Sequence, residues 1–272
     1  MSRLVSLAAQ SVQYLLLSLA AFVSIFPFFW MIIGTTNTSS DIIKGKTSIG
    51  AALTENAAKF FAEVDAPRVF YNSALIAVSA TILTLVVSSL AGYGFEMFRS
   101  KWRERIFALL LMLLAIPFAA LMIPLFILMA RLGLINTYAA ILLPGIASIF
   151  IIFYFRQATK AFPAELRDAA KIDGLSEWQI FLHVYLPVMR PTYAAATIIV
   201  FMANWNNYLW PLIVLQTNDL KTITLVVSSL ASAYTPDFGV VMVGAILATL
   251  PTLIVFFVLQ RRFVEGMLGA VK

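Results

Sequence analysis

The sequence predicts an all-α membrane protein with six transmembrane helices and both termini in the cytoplasm. Three observations support this prediction. Of the 272 residues, 61% are hydrophobic and 12% are charged, whereas soluble domains carry about 25% charged residues. The apolar residues form unbroken blocks of span length instead of the amphipathic pattern of surface helices. Most of the 19 Lys and Arg residues fall in alternate connections between the blocks, which the positive-inside rule assigns to the cytoplasm.

Six blocks are long enough to cross the hydrocarbon core, which takes about 20 helical residues. We interpret the first as a retained span, because it is too long for the apolar region of a signal peptide. The predicted spans are Tyr14–Gly34, Ser73–Phe95, Ile106–Ala130, Tyr138–Phe155, Tyr193–Leu215 and Val240–Gln260. We expect one transmembrane domain over residues 1–272, with a cytoplasmic loop at about 156–191 between the fourth and fifth spans.

The composition argues against catalysis by the chain itself. It contains no cysteine and one histidine, His183, so we expect no metal site, and no cofactor is predicted. The tripeptide Gly45-Lys46-Thr47 resembles the end of a phosphate-binding loop, but Ser40 stands where that motif needs its first glycine. The net charge of +6 is explained by the Lys and Arg residues of the cytoplasmic loops. Nucleic-acid binding is not expected, because no basic stripe alternates with stacking aromatic residues as in single-strand binders.

The loop between the fourth and fifth spans carries clear helix signals. Pro163 is suited to a helix start and Gly174 to a helix stop. Ser176, with Gln179 three residues later, forms the capping-box pattern that opens a second helix. On the first helix one face is shared by Leu166, Ala169, Ala170 and Asp173.

This loop is therefore predicted to be two short helices that meet at a glycine, with Pro187 and Pro191 ending the second helix before the fifth span. Small alanines on a helix face permit close approach to another surface. That surface could belong to a partner protein or to the chain's own helical bundle. The spacing alone leaves both possibilities open.

The segment Glu165-Leu-Arg-Asp-Ala-Ala-Lys-Ile-Asp-Gly174, followed by Leu186-Pro187 and Pro191, resembles the EAA motif of ABC importer permeases. Asp168 stands where that family usually has Glu, which keeps the charge and shortens the side chain. The resemblance implies that the loop forms coupling helices seated in a cleft of a separate ATPase subunit. The coupling residues that it implies are Glu165, Asp168, Ala169, Ala170, Asp173 and Gly174.

Other segments resemble the carbohydrate-uptake branch of this family, and in particular the subunit related to MalG of the maltose transporter. They are Leu132–Ala140, Trp205–Pro211, Gln260–Gly266 and the end of the chain at Gly269–Lys272. The resemblance implies the type I importer architecture in a bacterial or archaeal cytoplasmic (inner) membrane. It also implies a second permease, two ATPase subunits and an extracytoplasmic solute-binding protein as partners, and a tail after Val264 that reaches the ATPases. Disaccharides, oligosaccharides, uronic-acid fragments, polyols and glycerol phosphate all remain possible substrates.

The fifth predicted span concentrates polar groups, which are costly in hydrocarbon and therefore candidates for function. As one helix, it would place Asn204, Asn207, Tyr208 and Pro211 on a common face, with Trp210 beside them. Pro211 has no N–H for the carbonyl of Asn207, so that oxygen would be left for water or a ligand. We predict that Asn204, Asn207, Tyr208 and Trp210 line a translocation pathway. Alternatively, the asparagines bond to a partner permease and the aromatic residues form an interfacial belt.

Two other functions were considered. A stand-alone secondary transporter or channel for a polar solute is typically built with ionisable groups inside its spans, inverted repeats and broken helices; none of these is evident in the sequence. In the third span, Pro117 and Pro124 suggest bends near the pathway, although simple helix kinks are the favoured interpretation. A membrane scaffold without a pathway is disfavoured by the polar centre of the fifth span.

Overall fold

The structure is a computed structural model that describes the backbone of residues 2–269 and the side chains of residues 10–261. Every regular element in that part of the chain is helical. The α-helices are α1 (Ser2–Thr35), α2 (Ser39–Ile43), α3 (Leu53–Glu63), α4 (Ala66–Met97), α5 (Lys101–Leu113), α6 (Phe118–Arg131), α7 (Tyr138–Leu142), α8 (Ile149–Thr159), α9 (Ala164–Ile172), α10 (Glu177–Ile180), α11 (Leu186–Val188), α12 (Arg190–Trp205), α13 (Leu209–Val214), α14 (Ile223–Ala231) and α15 (Phe238–Gly269).

The chain forms two compact units. One comprises the chain through Ala66 together with Val226–Leu250, and the other comprises Pro67–Leu225 and the chain from Pro251. In the first unit, the connection after α1 is organised by two buried asparagines. The side-chain amide of Asn56 donates to the carbonyls of Thr35 (2.8 Å) and Asn37 (2.9 Å). These bonds satisfy backbone oxygens at the end of α1, where helical partners run out.

Three clusters of buried apolar side chains lie among the described residues of the second unit. One surrounds Trp210 and includes Ile76, Met129 and Val214. Another joins Tyr93 of α4 to Phe181 and Tyr185, which follow α10. The third packs Phe155 of α8 against Ala196 of α12 and its neighbours. The two candidate sites described below lie in this unit.

Three of the predicted spans are continuous helices. The apolar stretches Gln10–Thr35, Ala66–Met97 and Phe238–Arg261 are each long and apolar enough to cross a membrane. They agree with the first, second and sixth predicted spans. The last helix continues to Gly269, while the predicted tail contacts involve side chains after residue 261 and the last three residues, which lie outside the described part of the chain.

The other three predicted spans are not single straight helices. The third is a pair of helices, α5 with α6, bent by 100°, and the fourth is Tyr138–Gly145 with α8, bent by 42°. The fifth lies within Arg190–Val214, which is interrupted at 206–208 and is bent by 79° from the preceding loop segment Glu177–Val188. The expectation of a simple kink in the third span was therefore wrong. Its helix tightens into i−3 hydrogen bonds at Leu114, Ala115 and Ile116 and then stops, because the residue before Pro117 disfavours the α conformation.

Candidate functional site

The first helix of the loop, α9, starts and ends as predicted. Pro163 is its N-cap residue. At the other end Gly174 has a φ of +82°, a left-handed conformation that L side chains tolerate poorly. The amide of Gly174 donates to Lys171 O (3.0 Å) and that of Leu175 to Ala170 O (3.0 Å). This pair of bonds is a Schellman motif, so the turn after α9 is fixed by backbone geometry.

The second loop helix begins with the predicted capping box, in which Ser176 and Gln179 satisfy each other's backbone amides. It does not end at Pro187. After α10, residues Phe181–Tyr185 form a π-helical turn that leads into Leu186–Val188. Widening the helix to a π turn lets Pro187, which has no N–H, continue the chain direction. The break comes at Met189, which has φ −85° and ψ 10°.

The structure corrects the predicted docking face of α9. Ala170 is only 6% exposed and lies against the chain itself instead of facing outward. Ala169 and Leu166, which were expected on the same face, are exposed. The large exposed apolar side chains of the loop are different ones: Ile172 is 87% exposed and Trp178 is 57% exposed. The helical period predicts which residues are neighbours on α9. It does not predict which of them point toward the rest of the chain and which point outward.

The acidic residues of the predicted coupling set remain at the surface. Glu165, Asp168 and Asp173 are all exposed. Among the salt bridges of the described residues, none involves these three carboxylates. They are therefore available for contacts outside the chain.

Sequence reasoning missed a buried ion cluster at the end of α8. The Arg156 side chain is 7% exposed, pairs with the 5%-exposed Glu96 of α4 at 3.3 Å and also pairs with Glu104 of α5. Its guanidinium lies 4.0 Å from the ring centroid of Phe107. Arg99 is a second partner of Glu96. We call Arg99, Arg156, Glu96 and Glu104 the Arg156 cluster. Its charges balance, which burial of ions requires.

The close approach of α4 and α8 explains how the cluster can form. A side chain at Gly92 would place its Cβ 2.6 Å from Phe155 Cβ and 2.8 Å from the backbone nitrogen of Arg156. Such distances are shorter than van der Waals contact. Glycine at this position therefore lets the two backbones approach and brings Glu96, one turn further along α4, to Arg156.

The polar centre of the fifth predicted span is a break between α12 and α13. Asn206 to Tyr208 are not helical. The side-chain amides of Asn204 and Asn206 donate to the carbonyls of Val200 (2.8 Å) and Met202 (3.0 Å), so they compete with the backbone for helix acceptors. The predicted single face is consequently absent. Pro211 lies in the first turn of α13, where a missing N–H removes no intrahelical bond.

A cavity of about 400 Å³ lies beside this break. It is lined by residues from all three interrupted segments: Leu114 and Phe118 flank the first break, Gly145 and Ser148 belong to the second, and Asn207 lies in the third. Its volume falls within the range of small-molecule sites. The cavity-lining residues of the described chain include no Asp, Glu, Lys, Arg or His.

The cavity brings together three of the four predicted pathway residues. Asn204, Asn207 and Trp210 contribute to its wall. The indole N–H of the buried Trp210 donates to Ala140 O (2.8 Å), which fixes its ring between α7 and α13. Tyr208 is not among the lining residues and packs instead beside the apolar cluster around Trp210. The amides at Asn204 and Asn207 are thus the polar side chains that the fifth segment contributes to the wall.

Irregular backbone at membrane depth is tolerated where it is buried in protein or lines a cavity, and interrupted apolar helices around a cavity are typical of transport proteins. These features define the class as a multi-pass membrane transport protein. The chain belongs to the family described as "Binding-protein-dependent transport system inner membrane component", whose model matches residues 84–269. Broken helices, which the sequence did not reveal, therefore do not favour a stand-alone secondary transporter here.

Named relatives cover almost the whole chain. It is 72% identical over 261 residues to the lactose transport system permease protein LacG of Rhizobium radiobacter, with 96% of each chain covered. It is 36% identical to the arabinooligosaccharides transport system permease protein AraQ of Halalkalibacterium halodurans, covering 93% of this chain and 92% of the relative. A chain of a bacterial ABC transporter involved in alginate import superposes with a TM-score of 0.79 at 20% identity, covering 93% of this chain and 96% of that one. The last similarity supports the fold.

Proposed function

We propose that the chain is one of two permease subunits of an ATP-driven importer and that it helps to translocate an uncharged oligosaccharide, in particular a disaccharide. In this proposal two separate ATPase subunits hydrolyse ATP and an extracytoplasmic binding protein delivers the sugar. The chain crosses the cytoplasmic (inner) membrane of a bacterium or archaeon six times, with both termini inside. In this proposal the six crossings are the three continuous apolar helices, the bent pairs at Lys101–Arg131 and Tyr138–Thr159, and the interrupted segment Arg190–Val214.

The convergence of three helix breaks on one cavity is the observation that carries the translocation role. Breaks in unrelated parts of the sequence, at 114–117, 145–148 and 206–208, line the same space. Since non-helical backbone is costly in lipid, three breaks in one place favour a water-accessible path. Amide groups at Asn204 and Asn207 beside aromatic side chains suit sugar hydroxyls.

The substrate proposal rests on two independent arguments. The described residues of the cavity wall include no ionisable side chain, so the wall offers no positive charge to pair with a phosphate or a uronate. The relative with 72% identity is named for lactose transport. Both arguments favour a neutral disaccharide over glycerol phosphate or an acidic sugar.

For the loop we propose a docking role against the ATPase subunits. The exposed Ile172 and Trp178 are large apolar side chains in a segment for which the charge pattern predicts a cytoplasmic position. Large apolar anchors surrounded by a polar rim are typical of protein interfaces. The acidic groups are Glu165, Asp168 and Asp173, while Gly174 sets the angle between the two helices and Ala169 lies exposed beside them. Ala170 contributes through packing inside the loop.

The proposal is tested by reconstituting the complete complex in proteoliposomes with its binding protein. ATP hydrolysis and sugar uptake are measured with lactose, a neutral trisaccharide, glycerol 3-phosphate and a digalacturonate. We expect stimulation by a neutral sugar only. Stimulation by an anionic sugar alone contradicts the substrate proposal, and absence of an ATPase from the purified complex contradicts the importer proposal. Ile172→Asp should release the ATPase subunits. Ile49→Asp, which changes a similarly exposed isoleucine in the connection after α1, should not.

A further inference from the structure

The carboxylate of Glu177, a residue that the sequence analysis did not single out, receives four hydrogen-bond donors. Tyr93 OH donates to Oε2 (3.2 Å) and Arg167 Nε to the same oxygen (3.2 Å). Arg167 also binds Oε1 through its terminal nitrogen. Lys171 Nζ lies 2.9 Å from Oε1. A carboxylate has about four acceptor positions, so the acceptor capacity of Glu177 is filled within the chain.

These donors come from three segments that meet at one residue. Arg167 and Lys171 lie on α9, Glu177 is the first residue of α10, and Tyr93 lies on the candidate span α4. The Tyr93 ring also packs edge-on against Phe181 at 5.3 Å between centroids. Glu177 is therefore the point at which both helices of the loop are joined to a membrane helix by hydrogen bonds.

The contacts of Glu177 differ in strength. Exposed ion pairs contribute little, and Lys171 belongs to that kind because its side chain is 45% exposed. Arg167 is 17% exposed and binds both carboxylate oxygens, an arrangement that adds directional specificity. The contacts of Glu177 that can fix the position of the loop are therefore its hydrogen bonds with Arg167 and with Tyr93.

We propose that Glu177 is a positioning residue that fixes the angle between α9 and α10 and, through Tyr93, joins both to α4, so that a displacement of the loop moves this membrane helix. The inference rests on the proposed function, in which the loop receives the motion of the ATPase subunits. Two connections are separable. The Arg167–Glu177 pair holds the loop together, and the Tyr93–Glu177 bond joins the loop to the span.

Tyr93→Phe removes the second connection alone, because the ring contacts with Phe181 and Tyr185 need no hydroxyl. We measure sugar uptake and ATP hydrolysis in the same proteoliposomes containing the complete complex. Tyr93→Phe should retain assembly and basal ATP hydrolysis and lower the sugar transported per ATP roughly tenfold, the effect expected for one hydrogen bond to a charged group. Glu177→Gln should lower this ratio further, and Glu177→Asp should restore part of it. Tyr71→Phe, an exposed tyrosine on the same helix, should behave as wild type.

The outcomes separate this inference from the proposed function. If the wild-type complex shows no sugar-stimulated hydrolysis, the proposed function is wrong. If the wild type is stimulated and Tyr93→Phe keeps the wild-type ratio, or loses uptake and hydrolysis in parallel, the positioning role is wrong. Should Tyr93→Phe fail to assemble, the same ratio is read from Glu177→Gln. Failure of both variants to assemble assigns the two residues a structural role only and also overturns the inference.

Discussion

Replacing Arg156 with methionine tests whether the Arg156 cluster stabilises the packing of α4, α5 and α8. The substitution removes both ion pairs and the contact of the guanidinium with Phe107. The methionine side chain retains an apolar stem at the same position. Breaking one partner of a buried ion pair typically costs about 3–5 kcal/mol. We expect the lower end, about 3 kcal/mol, because Arg99 still pairs with Glu96 and Glu104 is half exposed.

The measurement is thermal unfolding of the complex in lipid nanodiscs, followed by the loss of monodisperse protein after heating. A cost of about 3 kcal/mol corresponds to a decrease in Tm of roughly 6–12 °C for a chain of this size. Arg99→Met is the matched control. Its side chain is 58% exposed, and exposed ion pairs contribute about 0–1 kcal/mol. The double variant Arg156→Met/Glu96→Gln should recover part of the loss, because it also removes the buried charge of Glu96, which has lost one of its two partners in Arg156→Met. Equal Tm values for Arg156→Met and Arg99→Met would refute the reasoning.

Three further predictions concern other parts of the chain. Gly174→Val should insert normally yet lose sugar-stimulated ATP hydrolysis, since a β-branched residue at a φ of +82° costs about 1–2 kcal/mol and changes the angle between α9 and α10; normal stimulation contradicts this. The chain has no native cysteine, so Asn207→Cys should react with a water-soluble thiol reagent in at least one state of the ATP cycle. Ala196→Cys, at a fully buried site, should not react. Equal labelling of the two variants contradicts the cavity assignment. Asp237→Asn should destabilise the start of α15 by about 0.3–1 kcal/mol, because the amide can still accept from Ser39 and Gly239 but lacks the negative charge that pairs with Lys59 Nζ (3.3 Å) at this helix N-terminus. Burial tends to raise the pKa of Asp237, but the Ser39 hydroxyl and Lys59 outweigh this effect and lower the pKa below its usual value. The wild type and the variant should therefore differ in free energy of unfolding at neutral pH. This difference should shrink as the pH falls through the lowered pKa.

Local signals predicted local structure well. The ends of α9 and the start of α10 follow from Pro163, Gly174 and Ser176, because capping motifs involve residues only a few positions apart. The continuous spans follow from hydropathy for a similar reason, since a window of about 20 residues sums a property that does not depend on partners.

The same averaging concealed the helix breaks. A hydropathy window gives the same value for a straight helix and for two helices that meet at 100°. Pro117 indicated a disturbance without its size, and the break at 206–208 contains neither Pro nor Gly. It depends instead on asparagine side chains that bond to backbone carbonyls, which propensity alone does not decide.

Long-range contacts escaped prediction for a physical reason. Arg156 meets Glu96 across 60 positions and Tyr93 meets Glu177 across 84, and no local pattern specifies which charges will meet. For the same reason Ala170 was assigned to an outward face. Its neighbours on α9 could be read from the helical period, but the side of the helix that packs inward is set by the rest of the unit.

Helix α8 gives the proposed mechanism a physical path from the loop to the cavity. Ser148, at its N-cap, lines the cavity, and Thr159 is its last residue. The Thr159 hydroxyl donates to Phe155 O (2.7 Å), so the Tyr185 hydroxyl, 2.7 Å away, must be the donor to Thr159. Eleven helical residues span about 16 Å. If the loop moves as proposed, α8 therefore connects its contact at Tyr185 to the cavity wall at Ser148 through one uninterrupted helix, and this connection does not include the break at 206–208.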